Sequence, residues 1–224
     1  MICELPQGAV VVLDVDDTLY LERDYVKSGF DAVGRHVRRR IGIEGFGDTL
    51  WSGFLEGVRG DAFDRALAIH GHDPDSSVVS ELVACYRSHA PAIELLPDAA
   101  RFLARLTRRV DRAVAVITDG PPASQRAKVD ALGLGALADP VILTGELGPG
   151  RAKPDPAAYL LVEDHFGVAA DRCCYIADNP SKDFVTPAER GWASIRVRRP
   201  ASLHHGLPTP ASTAEVGSLD DIEL

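Results

Sequence analysis

The sequence predicts an α/β fold: a parallel sheet with helices on both faces, plus a small all-helical segment inserted after the first strand. Three observations predict it. Short apolar, β-rich runs recur at AVVVL (9–13), AVAVI (113–117) and CCYIA (173–177), with two more short strand candidates at VIL (141–143) and ASIRV (193–197). Continuous apolar runs of this kind suit strands buried on both faces, the condition of a parallel sheet. Helical patterns fill 98–109, 122–132, 155–166 and 182–190 between the runs, and strand–helix alternation stacks helices on a parallel sheet. Residues 24–95 break the alternation. They carry no convincing strand, and apolar spacing with Gly, Asp and Pro breaks gives four helices near 24–40, 47–59, 61–70 and 77–89. The expected organisation is 1–22 with 96–224 as the α/β core domain, and 23–95 as a helical domain.

Taken in order, the first run leads straight into Asp14-Val15-Asp16-Asp17-Thr18. The insert follows, with joints near Leu21–Asp24 and Ala90–Leu96, the second framed by Pro91 and Pro97. The run at 113–117 ends in Thr118-Asp119-Gly120 before Pro121-Pro122. Lys153 stands just before Pro154, where a helix is expected to begin, and the run at 173–177 ends in Asp178-Asn179-Pro180-Ser181-Lys182-Asp183. Pro at the first turn suits a helix start, and helix N-termini aim backbone N–H groups at anions. The tail from Arg198, with Pro200, Pro208, Pro210, His204 and His205, reads as an irregular surface segment with solvated histidines.

Composition narrows the function classes. A chain of 224 residues, 46% hydrophobic and 25% charged, can bury a core without disulfides or a structural metal. Net charge is −9, from 24 basic and 33 acidic residues, which argues against nonspecific nucleic-acid binding. An acidic protein that binds an anion must gather its cations locally, and there are only four lysines: Lys27, Lys128, Lys153 and Lys182. Cys3, Cys85, Cys173 and Cys174 form no CxxC pair and read as reduced thiols of a cytosolic protein. The opening MICELPQG has neither a basic start nor a long apolar run, and no stretch reaches transmembrane length. The expectation is a cytoplasmic protein, a monomer or homodimer, with neither nucleic-acid nor membrane partner.

Chemistry concentrates at the strand ends. Ligand sites of open α/β sheets form at the carboxyl ends of strands. Two carboxylates two residues apart there, Asp14 and Asp16, are costly unless a cation binds. Thr118, Lys153, Asp178 and Asp183 arrive at the same rim, bringing a hydroxyl, an ammonium and further carboxylates.

This ordered set resembles the haloacid dehalogenase superfamily. Asp14, Asp16 and Thr18 look like its first motif, Thr118 its second, Lys153 its third, and Asp178 with Asp183 its fourth. The stretches ITDGPPASQRAKVDALGL and RAKPDPAAY also look like the branch that inserts a helical cap between the first two motifs. The resemblance implies a Rossmann-like core and a Mg²⁺-dependent phosphatase. Asp14 would be the nucleophile, forming an aspartyl-phosphate, and Asp16 the general acid and base. Thr118, the Asp119 amide and Lys153 would bind the phosphoryl oxygens. The carboxylates of Asp14 and Asp178 and the carbonyl of Asp16 would hold Mg²⁺, with Asp183 behind them, steadying Lys182 or a metal-bound water. Specificity falls to the cap, with Glu22, Arg23, Tyr25 and Arg59 as candidates and a phosphosugar or nucleotide-like monoester as the expected substrate. Dehalogenases of the family do not carry an Asp two positions after the nucleophile. Its phosphonate hydrolases need a cap lysine, and the insert has only Lys27, at its very start. Two alternatives stay open: a sugar phosphomutase, although the first histidine is His36, and a noncatalytic phospholigand-binding module on the same fold.

Overall fold

The structure is a computed structural model that describes residues 2–224. The chain forms two compact units, residues 1–22 with 94–224 and residues 23–93.

In chain order the elements are β1 (Cys3–Glu4), β2 (Val10–Leu13), α1 (Glu22–Ile41), α2 (Phe46–Leu55), α3 (Ala62–Ile69), α4 (Ser76–Ser88), α5 (Pro97–Leu106), β3 (Val114–Thr118), α6 (Pro122–Ala131), β4 (Val141–Leu143), α7 (Ala157–Phe166), β5 (Cys173–Ala177), α8 (Val185–Arg190), β6 (Ala193–Val197), β7 (Ala214–Val216) and β8 (Ile222–Glu223). The first unit is built on a six-stranded parallel sheet in the order β4-β3-β2-β5-β6-β7. The chain runs outward from β2 through β3 to β4, then returns to the other side of β2 at β5. That reversal opens a crevice at the carboxyl ends of β2 and β5. Leu13 pairs with Val116 on one side and Ile176 on the other. Asp14, Thr118 and Asp178 therefore leave three adjacent strands at one rim.

The apolar runs are buried on both faces. Val10, Val12, Ala115, Ile117, Cys173 and Tyr175 pack on one face with Ala158, Tyr159 and Val162 of α7 and with Phe184 and Trp192. Val11, Leu13, Val116, Cys174 and Ile176 alternate with them and are equally buried, so the adjacent Cys173 and Cys174 face opposite sides of the sheet. Each fully buried Val, Leu or Ile contributes about 1.5–3 kcal/mol, which holds the strand ends to one register.

The four insert helices have their own core of Phe30, Val33, Val37, Phe46, Leu50, Phe54, Leu67 and Leu82. Their breaks fall at Gly42, Gly45, Gly57, Gly60 and Gly71, all at positive φ.

Two expectations need correction. The tail is not merely irregular: β7 adds a sixth strand to the sheet, and β8 pairs in parallel with β1. These strands are two or three residues long, too short to show a period in sequence. The helix expected over 182–190 begins only at Val185. Pro180 lies in the preceding turn, held by hydrogen bonds from the N–H groups of Lys182 and Asp183 to the Asn179 carbonyl.

Candidate active site

The nucleophile loop is set by backbone geometry. Asp14 N–H donates to the Ile176 carbonyl at 3.0 Å, continuing the ladder one residue past β2. Asp17 then takes φ 55°, the left-handed region, and turns the chain away from the sheet. Its carboxylate accepts the N–H of Glu22 at 2.9 Å and of Leu203 at 2.8 Å. Asp17 is thus a structural staple.

Asp14 is buried and accepts from Lys153 Nζ at 2.6 Å and from the Thr18 hydroxyl at 3.2 Å. Burial pushes its carboxyl up to about 6, against the pull of Lys153 and with help from the Asp183 charge. Lys153, at the start of the segment leading into α7, also contacts the Tyr175 hydroxyl at 2.9 Å and Asp183 Oδ1 at 2.8 Å. Burial alone would discharge it, but Asp14 and Asp183 outweigh that and hold its ammonium well above the ordinary range.

Asp16 sits in a cradle of donors. Lys128 Nζ reaches Oδ1 at 2.6 Å, Gln125 Nε2 reaches Oδ2 at 2.9 Å, and the Tyr20 hydroxyl donates to Oδ1. Burial pushes its carboxyl up, yet Lys128 and the three hydrogen bonds overcome this and leave it below the ordinary range. Lys128 and Gln125 lie one turn apart on α6. Gly120 (φ 140°) admits this packing, since a Cβ there would sit 2.8 Å from Gln125 Nε2.

Asp119 acts through its side chain as well as its position. It accepts from the Thr144 hydroxyl at 2.7 Å, the Lys153 amide at 3.1 Å and Lys182 Nζ at 2.8 Å. Burial raises its carboxyl, but the Lys153 and Lys182 charges depress it below its usual value. Thr118, by contrast, is buried with its hydroxyl free of any hydrogen-bond partner among the described residues.

Asp178 accepts from the Ser202 hydroxyl at 2.7 Å. Burial, reinforced by the Asp14 charge, pushes it up to about 8. Asp183 is fully buried, and its Oδ2 takes the Asn179 amide at 3.1 Å. Asp14, Asp178 and Asp183 each present an oxygen within 4.8 Å of the other two. Three anionic oxygen donors suit a hard divalent cation. Asp14 and Asp178 both favour a proton chiefly because they are buried, with neighbouring carboxylate charge adding to it, and a bound cation would offset both costs.

A cavity of about 120 Å³ at this rim is lined by Asp14, Asp16, Asp119, Asp178, Lys182 and Glu22, among others. Glu22 is pushed up to about 7 by burial and by Asp16. The other specificity candidates lie in the second unit. Arg23 stands 5.6 Å from the centre of the Trp51 ring. Tyr25 is buried against Tyr86 and His89. Arg59 packs on Phe54 at 3.9 Å and donates to the Phe54 and Val58 carbonyls at 2.9 and 2.7 Å.

Four residues of the site carry no role from sequence alone: Lys128, Gln125, Tyr20 and Ser202. For the first two a signal existed, a lysine and a glutamine three residues apart on the helix that follows Thr118, in a chain with four lysines. Ser202 left none, since it is 24 residues beyond Asp178 in a Pro-rich segment.

Comparison with known proteins bears on the family and the fold. A family profile described as haloacid dehalogenase-like hydrolase matches residues 9–185. The chain is 27% identical to a phosphoserine phosphatase of Thermus thermophilus, over 96% of this chain and 98% of that one. It is 25% identical to a glyceraldehyde 3-phosphate phosphatase of Methanopyrus kandleri, over 84% and 83%. Among solved structures it resembles the HAD-hydrolase YfnB of Bacillus subtilis bound to magnesium, with TM-score 0.68, 15% identity and coverage of 96% and 97%. It also resembles an L-2-haloacid dehalogenase of Xanthobacter autotrophicus, with TM-score 0.59, 25% identity and coverage of 99% and 96%.

Proposed function

The chain belongs to the haloacid dehalogenase-like hydrolases, and from that footing we propose that it is a Mg²⁺-dependent phosphatase acting on a small phosphorylated metabolite through an aspartyl-phosphate at Asp14. The observation that carries the phosphoryl reading is the buried Thr118 hydroxyl without a partner, one strand over from Asp14. A buried donor left unmade costs about 1–3 kcal/mol, and a phosphoryl oxygen is the acceptor that the neighbouring Lys153 ammonium also selects.

The reaction divides among the residues as follows. Asp14 attacks phosphorus in line with the leaving oxygen, while Lys153 orients its carboxylate and neutralises a phosphoryl oxygen. Thr118 and the Asp119 amide take the remaining oxygens. Asp16 gives a proton to the departing oxygen, then takes one from the water that hydrolyses the aspartyl-phosphate. Asp14, Asp178 and the Asp16 carbonyl would hold Mg²⁺, with Asp183 beside them tied to Lys153. The ion supplies positive charge that offsets nucleophile and substrate together.

The similarity to a phosphoserine phosphatase and a glyceraldehyde 3-phosphate phosphatase supports hydrolysis of a phosphate monoester over dehalogenation. So does Asp16, because expelling a halide requires no proton donor. The core grips only the phosphoryl group, so discrimination is assigned to the helical insert 23–95 acting as a cap, with Glu22 at its entrance and Arg23, Tyr25 and Arg59 within it as candidate contacts. A phosphosugar, a nucleotide-like ester or phosphoserine fits the reading. Among the described residues no helix is long and apolar enough to cross a membrane.

The test is phosphate release from a nitrophenyl phosphate and from a panel of phosphometabolites, with and without Mg²⁺. Release should require the cation. Asp14→Asn should lower kcat by several orders of magnitude while circular dichroism stays that of the wild type. Turnover at the wild-type rate in the folded variant would remove Asp14 from the mechanism.

A further inference from the structure

The chain between β6 and β7 closes back on the two loops that carry the candidate metal ligands. Ser202, buried, donates its hydroxyl to Asp178 Oδ2 at 2.7 Å. The next amide, of Leu203, donates to Asp17 Oδ2 at 2.8 Å. Arg199 donates to the Thr18 carbonyl through Nη2 at 2.8 Å and Nε at 3.2 Å, and to Asp98 at 2.8 Å. Arg196, only 1% exposed, ties the two sides together. It donates to the Asp178 carbonyl at 3.0 Å and, at 2.7 Å each, to the His204 and Leu207 carbonyls and the Thr209 hydroxyl. None of these bonds belongs to the sheet ladder: Arg196 lies in β6 but makes them through its side chain, and Arg199, Ser202 and Leu203 lie between the end of β6 at Val197 and the start of β7 at Ala214.

We propose that Ser202 is a positioning residue for Asp178, and that the strap 199–207 sets how tightly the core holds its divalent cation. The proposal rests on the phosphatase reading only in taking Asp178 as a metal ligand. A carboxylate that ligates through one oxygen can still turn about its Cβ–Cγ bond unless the other oxygen is held. Ser202 holds it, and it is the one hydrogen-bond donor to the Asp178 carboxylate among the described residues. Arg196 fixes the same residue from the main-chain side. Asp178 is thereby presented to Asp14 and Asp183 in one orientation before the cation arrives, which removes an ordering cost from binding. Partners of this kind are typically worth about 10–100-fold in metal affinity. The strap also grips the nucleophile loop at Asp17 and Thr18, so both halves of the ligand set hang on one segment.

The experiment is calorimetric titration of Mg²⁺ into the purified full chain, free of substrate. Ser202→Ala should weaken Mg²⁺ binding about 10-fold or more, while KM for nitrophenyl phosphate at saturating Mg²⁺ stays near wild type. A merely structural loosening would move both. Ser202→Cys, which keeps the volume but is a weak donor, should weaken Mg²⁺ in the same way and serves if the alanine variant does not fold. Ser212→Ala, at an exposed position farther along the same segment, should leave the affinity unchanged. Wild-type Mg²⁺ affinity in the Ser202 variants overturns the proposal and leaves the phosphatase reading intact. An equal loss in Ser212→Ala also overturns it. Phosphate release by a wild-type protein that binds no Mg²⁺ would overturn both.

Discussion

Asp16 accepts hydrogen bonds from Lys128, Gln125 and Tyr20, and each stabilises the carboxylate over the acid. In this arrangement it has the form required by the second half of the reaction, a base beside the attacking water. The first half needs the proton on Asp16 as the leaving oxygen departs, so protonation has to compete with the hold of Lys128. The competition matters only for leaving groups that cannot depart as anions. Asp16→Asn should therefore lower kcat/KM on an alkyl phosphate by about 10²–10⁴-fold, and much less on a nitrophenyl ester, whose leaving group needs no proton. Mg²⁺ affinity should survive, because the metal role assigned to this residue is its backbone carbonyl. Steady-state kinetics on the two substrates check this, and equal losses on both would contradict the acid role.

The loop before α7, the end of β2 and the turn before α8 meet in one buried ion group, with Lys153 between Asp14 and Asp183. Removing one member of such a group leaves charge uncompensated and typically costs about 3–5 kcal/mol. Lys153→Met should thus destabilise the metal-free protein by roughly that amount at pH 8. At pH 5 the loss should shrink, since carboxylates without their cation take up protons more readily. Urea unfolding in EDTA at the two pH values measures it, and a loss independent of pH would mean that volume rather than charge is at stake. Within the insert, Arg23→Ala should raise KM for the true substrate and leave nitrophenyl phosphate nearly untouched, as kinetics on both would show. Arg59 is the weaker probe, since its guanidinium is already bound to Phe54 and two carbonyls. At this scale the sheet was legible because a buried parallel strand writes its burial into a few consecutive residues, and the residue that follows it must lie at the rim. AVVVL followed by Asp14, and CCYIA followed by Asp178, carry that information locally. The cradle around Asp16 and the strap at Asp178 depend on contacts across the fold, with Lys128 112 residues from Asp16 and Leu203 186 from Asp17. The Gln125 and Lys128 pair on the helix after Thr118 hints at the cradle but does not name its partner, and nothing local marks the strap.

Over the whole molecule, the acidic excess that argues against nucleic acid is also a load on the site. The chain has net charge −9, and three of its four lysines are used to offset carboxylates at one rim: Lys128 at Asp16, Lys153 at Asp14 and Asp183, and Lys182 at Asp119. Among the described residues the Asp178 carboxylate has no lysine partner and accepts only from the Ser202 hydroxyl; burial pushes its carboxyl up to about 8 and that of Asp14 up to about 6. Both lie above the ordinary aspartate value of 3.8, so the folded protein binds these protons more tightly than the unfolded chain does. By linkage, the stability they contribute is fully present below 3.8 and is lost as pH rises, through about 6 for Asp14 and about 8 for Asp178. The depressed carboxyls, such as Asp16 and Asp119, act in the opposite direction, but their contribution is complete once pH exceeds the unfolded value and stays constant above it. A divalent cation replaces the protons. It binds only when Asp14 and Asp178 are ionised, and its stabilisation grows with its affinity for the folded state. The expected outcome is a crossed pattern in thermal unfolding. The EDTA-treated protein should melt lower at pH 8.5 than at pH 5.5, and saturating Mg²⁺ should raise the midpoint strongly at pH 8.5 and little at pH 5.5. At this chain length, each kcal/mol gained moves the midpoint by about 2–4 °C, well within the resolution of scanning calorimetry. Asp178→Asn should flatten both effects, because it removes the carboxylate with the largest burden and with it a ligand. An equal Mg²⁺ response at the two pH values would show that the acidic rim is not where the cation binds.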